Sequence, residues 1–404
     1  MTKSAPAWLI PIAAIFFLQT ASSFLGRFIP IIAPALSADF GWDGSTIGYL
    51  TASHSLGSLA ILAGGSALLK QVGGMRMLQI TLFLGTASMS LFLHPSVTVA
   101  LLACFIMGLS NGTSNPAGSE VLQRFSPPGK RNLIFSVKQA GVPLGGVLAG
   151  LAVPAMIVLI GWRLTLFACA LLVIVTPALT WRVSAQVDER PASSRPFLGW
   201  PGREALHSLK VPLQSLMHNR GLFRMSMVGV LFAVSQTCWF TFTVIYLIDG
   251  LGYSLGQAGV VFAVMQAGGV IGRVALGWLS DHMQSATISL MTAAILSVVT
   301  TVLLGLSNTH WPLWSIVLLA FVAGCSAASW NGVQIAEVAR RSPPDLISET
   351  SAGSSILVNI TNMLVPAAFA AFVASTQRYD YAFYAAGLCT VLVLFVLPRD
   401  AQGG

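Results

Sequence analysis

Charge is what this chain of 404 residues lacks: Asp, Glu, Lys and Arg together make up 8% of it, against about 25% in an ordinary soluble domain. Too few charged side chains remain to cover a water-facing surface, and 55% of the residues are hydrophobic. Long polar segments are also missing, apart from one near the middle, so no separate soluble domain is expected. Cysteine is sparse: Cys104, Cys169, Cys238, Cys325 and Cys389 each fall inside an apolar run, with no paired or metal-ligand spacing. They read as small apolar packing residues, and no metal or cofactor is expected. No P-loop and no nucleophile–base pattern is present, which speaks against a membrane enzyme, and nothing supports a signal receptor. The 21 basic residues outnumber the 13 acidic ones, but they lie between apolar runs, so no nucleic-acid partner is expected.

What is there is a succession of apolar runs, each near the roughly 20 residues that a helix needs to cross a bilayer. Six lie at Trp8–Leu36, Ser45–Leu69, Met77–Leu93, Val97–Leu122, Leu133–Ile160 and Leu164–Val183. Six more follow at Leu222–Ile248, Leu255–Leu279, Ser285–Leu306, Trp311–Val338, Thr350–Ala374 and Tyr381–Leu397. The fold class expected is an all-α membrane protein of twelve spans. Basic residues favour cytoplasmic loops. One set of loops carries Lys3, Lys70, Arg124, Arg195, Arg340 and others like them, whereas the opposite set carries only Arg163 and Arg378. Both termini are therefore expected in the cytoplasm of a multi-pass protein of the cell membrane, such as a bacterial inner membrane. The first run has signal-like features, but it continues past its small residues to Leu36 and is expected to be kept as a span.

The polar stretch, residues 184–221, reads as a cytoplasmic linker between two bundles, 1–183 and 222–404. The sequence repeats across it. Gly108, Ser110, Asn115, Arg124, Ser126, Pro127 and Pro128 return as Gly324, Ser326, Asn331, Arg340, Ser342, Pro343 and Pro344, each 216 positions on. Gly41, Gly48 and Gly57 return as Gly252, Gly259 and Gly268, each 211 positions on. Two six-span halves in parallel repeat are the plan of a class of secondary transporters.

Over its whole length the chain resembles the major facilitator superfamily. The most specific match is Gly277-Trp278-Leu279-Ser280-Asp281-His282, which resembles that family's loop motif of a glycine, an Asp and a basic residue. The resemblance implies that Asp281 braces an inner gate against the start of span eleven, and a carboxylate does favour the positive end of a helix. Lys70 stands at the corresponding place of the first half, so that gate must be held differently. Proton-coupled drug exporters of the family carry an arginine in span four, where this chain has Leu102-Ala103-Cys104-Phe105. Gly141-Val142-Pro143-Leu144-Gly145-Gly146 resembles their antiporter signature with a shifted proline, and it reads as helix packing.

A charge inside a span is costly and marks a functional candidate. Arg27 resembles the span-one arginine of the family's organic-anion and organophosphate carriers, and Arg273 the span-eight arginine of its monocarboxylate carriers. A guanidinium offers a planar fork of donors that suits a carboxylate or phosphate; the alternatives are an Arg27 reaching toward headgroups and an Arg273 bracing the gate. Lys138 and Gln139 open span five, Lys138 as a gate charge and Gln139 as a substrate contact. His54 is placed to hydrogen-bond a substrate or pack between helices. Glu120 with Arg124 and Glu337 with Arg341 have the i,i+4 spacing of helix ion pairs and read as gate structure. Asn115, Asn331, Trp239 and Trp330, on the spans that line the cavity in this family, complete the expected substrate set, and Gln19, Asn111, Gln236, Gln334 and Asn359 are further polar groups there.

Three basic residues lie in spans without a mid-membrane acid to neutralise them, so the cargo expected is a small organic anion, a carboxylate above all, carried by a monomer through proton symport or anion exchange. The alternative is a proton-driven exporter of drugs or other amphiphiles. The expected topology is tested by cysteine labelling in whole cells. Arg378→Cys should react with an impermeant reagent and Arg195→Cys should not; the reverse pattern would invert the protein.

Overall fold

The structure is a computed structural model that describes residues 8–64, 72–125, 131–188, 210, 212–343 and 346–398, with some side chains within these helices left out. It is almost entirely helical. In chain order α1 is Leu9–Phe40, α2 Thr46–Gly64, α3 Gly74–Ser88 with a 3₁₀ extension Met89–Leu93, and α4 Val97–Phe125. Arg131–Val187 runs on as helix but is broken at Gly161, where φ is 76° and ψ 159°. We label the parts on either side, 131–160 and 162–187, α5 and α6. The second half holds α7, Arg220–Ile245, ending in a π turn Tyr246–Gly250; α8, Leu255–His282; and α9, Ala286–Leu306. It continues with α10 in two pieces, Leu313–Ala327 and Asn331–Arg341; α11, Ile347–Thr376; and α12, Tyr379–Val396. These helices correspond in order to the twelve expected spans. Ten runs among the described residues are long and apolar enough to cross a membrane; the run Lys138–Val187 holds two spans, and the 19-residue α2 completes the set.

Local chemistry sets where several helices start. Ser254 accepts from the backbone N–H of Gln257 while the Gln257 side chain accepts from the N–H of Ser254, a reciprocal cap on α8. Ser285 caps α9 through the N–H of Ile288 and Asn219 caps α7 through the N–H of Gly221. A continuous tenth span was expected, but it is interrupted at 328–330. The Ser329 hydroxyl bridges the Gly324 and Gly269 carbonyl oxygens at 2.7 and 3.1 Å. A hydroxyl in that position offsets the loss of helical hydrogen bonds where no water is at hand.

The chain forms two compact units, one built from residues up to Ile32 and from Ser53 to the linker, the other from Ala33–Ala52 and the residues after the linker. In the first, a Cβ on Gly108 would stand 2.0 Å from the His54 carbonyl oxygen, and one on Gly57 would stand 2.0 Å from that of Phe105. In the second, a Cβ on Gly324 would stand 2.0 Å from the Met265 carbonyl oxygen, and one on Gly268 would stand 2.4 Å from that of Phe321. Every partner in the second set follows its counterpart in the first at the same offset, 211 or 216, that the sequence repeat uses. The repeat is thus a repeat of one contact, α2 on α4 and α8 on α10, made backbone to backbone because glycine offers no side chain to separate them. The second unit also includes the start of α2, where a Cβ on Gly48 would stand 2.2 Å from the carbonyl oxygen of Pro366 on α11.

Gly108→Ala and Gly324→Ala should each lower stability by about 1–3 kcal/mol, the usual cost of overpacking. Gly277→Ala, whose Cβ would meet nothing within 4 Å, should be neutral. Thermal unfolding of the purified variants decides this, and three equal melting temperatures would contradict the contact.

Candidate substrate site and gate

In the first unit, polar side chains recur on α1 at Gln19, Ser23 and Arg27, one helical face at i, i+4 and i+8. Ser114 of α4 donates to Gln19 Oε1 at 2.6 Å, and Ser23 donates to the Val142 carbonyl oxygen of α5 at 2.7 Å. At the level of Arg27 three helices converge. A Cβ on Gly26 would stand 3.3 Å from both Cε1 and Nε2 of His54 and 3.5 Å from Nδ2 of Asn111. His54 is buried, its Nε2 has no hydrogen-bond partner among the described residues, and Arg27 is close enough to act on it electrostatically. An unpaired buried polar atom costs about 1–3 kcal/mol, a cost that fits a ligand-binding position. Half-buried Arg27, buried His54 and the exposed Asn111 thus place a fixed cation beside an imidazole and an amide.

Lys138 is 3% exposed, and its side chain lies across α4, since a Cβ on Gly118 would stand 2.6 Å from Lys138 Cε. Gln139 beside it is exposed. Lys70 and the side chains of Asn115, Glu120 and Arg124 lie outside the described residues, as does most of the linker.

In the second unit, Arg273 lines a cavity of about 480 Å³ together with Asp281, Ser280, Glu337 and Arg340. Glu337 is almost wholly buried and holds two arginines: Arg341 through Nε at 2.6 Å, and Arg340 through two hydrogen bonds at 2.6 and 2.8 Å. Arg273 therefore shares its cavity with two carboxylates, at the end of α8 that carries the loop motif. That placement sets Arg273 in the same cavity as the expected gate residues Asp281 and Glu337. Asp281 faces α10 across this cavity, and α11 is not among its described walls.

The two aromatic candidates are packed between helices. Trp239 is 1% exposed and donates its indole N–H to Thr301 of α9 at 3.0 Å. Trp330 is fully buried and stacks on Phe232 at 5.3 Å, inside an apolar core. Both fill space between helices, and the Trp330 indole N–H has no hydrogen-bond partner among the described residues. Asn331 is half-buried and accepts from Gln236 Nε2 at 3.3 Å. Gly26 was missed by sequence reasoning; its one signal was a residue without a side chain directly before an intramembrane arginine.

Breaking a buried ion pair by removing one partner costs about 3–5 kcal/mol. Glu337→Ala should approach that range, because it strands Arg341, whose side chain is 12% exposed. Arg340→Ala, at 55% side-chain exposure, should cost less than about 1 kcal/mol. Equal losses of thermal stability from the two variants would contradict the assignment of Arg341 as the main partner.

A family model described as Major Facilitator Superfamily matches residues 12–366. An uncharacterized MFS-type transporter of Mycobacterium tuberculosis (strain CDC 1551 / Oshkosh) is 26% identical, over 94% of this chain and 82% of its own length. The hexuronate transporter of Bacillus subtilis (strain 168) is 22% identical, over 96% of this chain and 94% of its own. The 4-hydroxybenzoate transporter PcaK of Pseudomonas aeruginosa is 28% identical, over 62% of this chain and 61% of its own. Among solved structures, a bacterial homolog of the human lysosomal transporter Spinster superposes with a TM-score of 0.72 at 15% identity, covering 98% of this chain and 96% of that one.

Proposed function

The chain belongs to the major facilitator superfamily and is a transporter, not an enzyme; on that premise we propose that it carries a small organic anion, a carboxylate above all, across the cell membrane by alternating access. Both termini then lie in the cytoplasm, and the energy comes from a gradient, through proton symport or anion exchange. The observation that carries this proposal is the unpaired Nε2 of His54, buried beside Arg27 and Asn111. A guanidinium grips both oxygens of a carboxylate in one plane, and the imidazole and amide nitrogens supply neutral hydrogen bonds on the flank. Several relatives point the same way: they are described as transporters of hexuronate, 4-hydroxybenzoate, gallate and, as a probable assignment, galactarate or D-glucarate, all of them organic acids, and another is described as a probable hexose phosphate transport protein, an anionic cargo too. Arg273 acts here as a gate residue that answers to Asp281 and Glu337.

Removing the charge from a buried, completed pair costs about 3–5 kcal/mol, or at least a hundredfold in affinity. Arg27→Gln should therefore abolish carboxylate binding by the purified protein, measured by calorimetry or by ligand-induced thermal shift, while its own melting temperature stays near that of the parent. Arg27→Lys should rescue poorly, because a point charge cannot form the fork. Arg273→Gln should leave binding within a few-fold and slow transport. A carboxylate that binds Arg27→Gln at parental affinity would remove Arg27 from the site.

A further inference from the structure

Within the first unit α3 and α6 run antiparallel and touch closely at one end. Asp188, just past α6, accepts the N–H of Arg76 at 2.7 Å at the start of α3. Further along, Gln79 Nε2 donates to Thr180 Oγ1 at 3.0 Å, and the Phe83 ring meets Trp181 edge-on at 5.9 Å. Beyond this level the two helices part around a groove of about 460 Å³, walled by Thr86, Met89 and Leu93 on one side and by Phe167, Ala170 and Ile174 on the other. Two local features accompany the groove. Pro177 lies inside α6, and a proline interior to a helix removes a hydrogen bond and kinks it. After Ser88, α3 tightens into the 3₁₀ turn Met89–Leu93, which draws its side chains onto a narrower column.

The polar atoms of the groove are already used. Thr86 donates to the Leu82 carbonyl oxygen and Ser90 to that of Ala87, so an apolar surface is left. It opens among side chains of Leu164, Leu171 and Leu172 that are more than half exposed on a membrane-crossing helix. Outside the lining, Arg163 stands one turn before Phe167 on the same face of α6, and two turns before Ala170. Arg163 is exposed, its guanidinium lies 4.4 Å from the ring of the neighbouring Trp162, and the exposed His94 follows Leu93. Arginine and tryptophan at a helix end are the side chains that sit at headgroup level.

We propose that this groove is a binding site for one glycerophospholipid with an anionic headgroup. An acyl chain fills the cleft from Leu93 and Phe167 down to Thr86 and Ile174, and the phosphate sits at Arg163. Shape selects the chain, and charge complementarity selects the headgroup.

Native mass spectrometry of the full chain in detergent tests this, with phosphatidylglycerol and phosphatidylcholine of equal chain length as probes. The parent should retain phosphatidylglycerol with about a fivefold preference, the factor that one basic residue near a membrane surface gives. Arg163→Gln should still bind lipid but lose the preference. Ala170→Trp, which fills the cleft, should lose both lipids, and Leu93→Trp serves the same purpose if Ala170→Trp does not fold. Inorganic phosphate at millimolar concentration should not displace the lipid, since the chain supplies most of the hold. Unchanged binding in the cleft-filled variant, an unchanged preference in Arg163→Gln, or displacement by phosphate would each overturn the proposal.

Discussion

Backbone contact at four glycines governs the rest of the molecule. Gly57 and Gly108 let α2 and α4 meet without side chains between them, and Gly268 and Gly324 do the same for α8 and α10. In lipid no hydrophobic force draws helices together, so association depends on close packing of this kind. The first contact also builds the site. Gly108 rests on the carbonyl oxygen of His54, which fixes α2 against α4 at that residue and brings its ring to Gly26, beside Asn111. A side chain at Gly108 would displace the imidazole from Arg27 as well as destabilise the unit.

The same contact exposes where the two halves diverge. Met265 occupies the place of His54 in the second half, and its carbonyl oxygen receives Gly324 as His54 receives Gly108. The architecture is duplicated, but the imidazole is not. In the second half the cationic group, Arg273, lies instead in a cavity with Asp281 and Glu337. One half thus sets a cation beside an imidazole and an amide on its helices, and the other gathers Arg273, Asp281 and the Glu337–Arg340 pair around one cavity.

Much of the fold was legible because lipid imposes length and hydropathy on every span, and because duplication left identities at fixed offsets. The interruption of α10 at 328–330 was not legible: the signal lies in one hydroxyl, Ser329, whose two carbonyl partners are 60 and 5 residues away. Arg27 and His54 stood out because a polar group in an apolar run is conspicuous. The burial of Trp239 and Trp330 was not legible, because hydropathy does not tell a helix face that lines a cavity from one that meets another helix. The charge of Arg273 was visible in sequence, but the acidic residues that share its cavity, 8 and 64 positions later, come together only in the fold.

The central claim is that charge, held at Arg27, is what the protein recognises in its cargo. Uptake into proteoliposomes of a radiolabelled aromatic carboxylate, compared with its isosteric primary amide, tests that claim most directly. The two probes share shape and differ in charge, the amide carrying an NH2 donor where the carboxylate has its second acceptor oxygen. The account predicts saturable transport of the carboxylate and none of the amide. Equal transport of both, or transport of the amide alone, would contradict it.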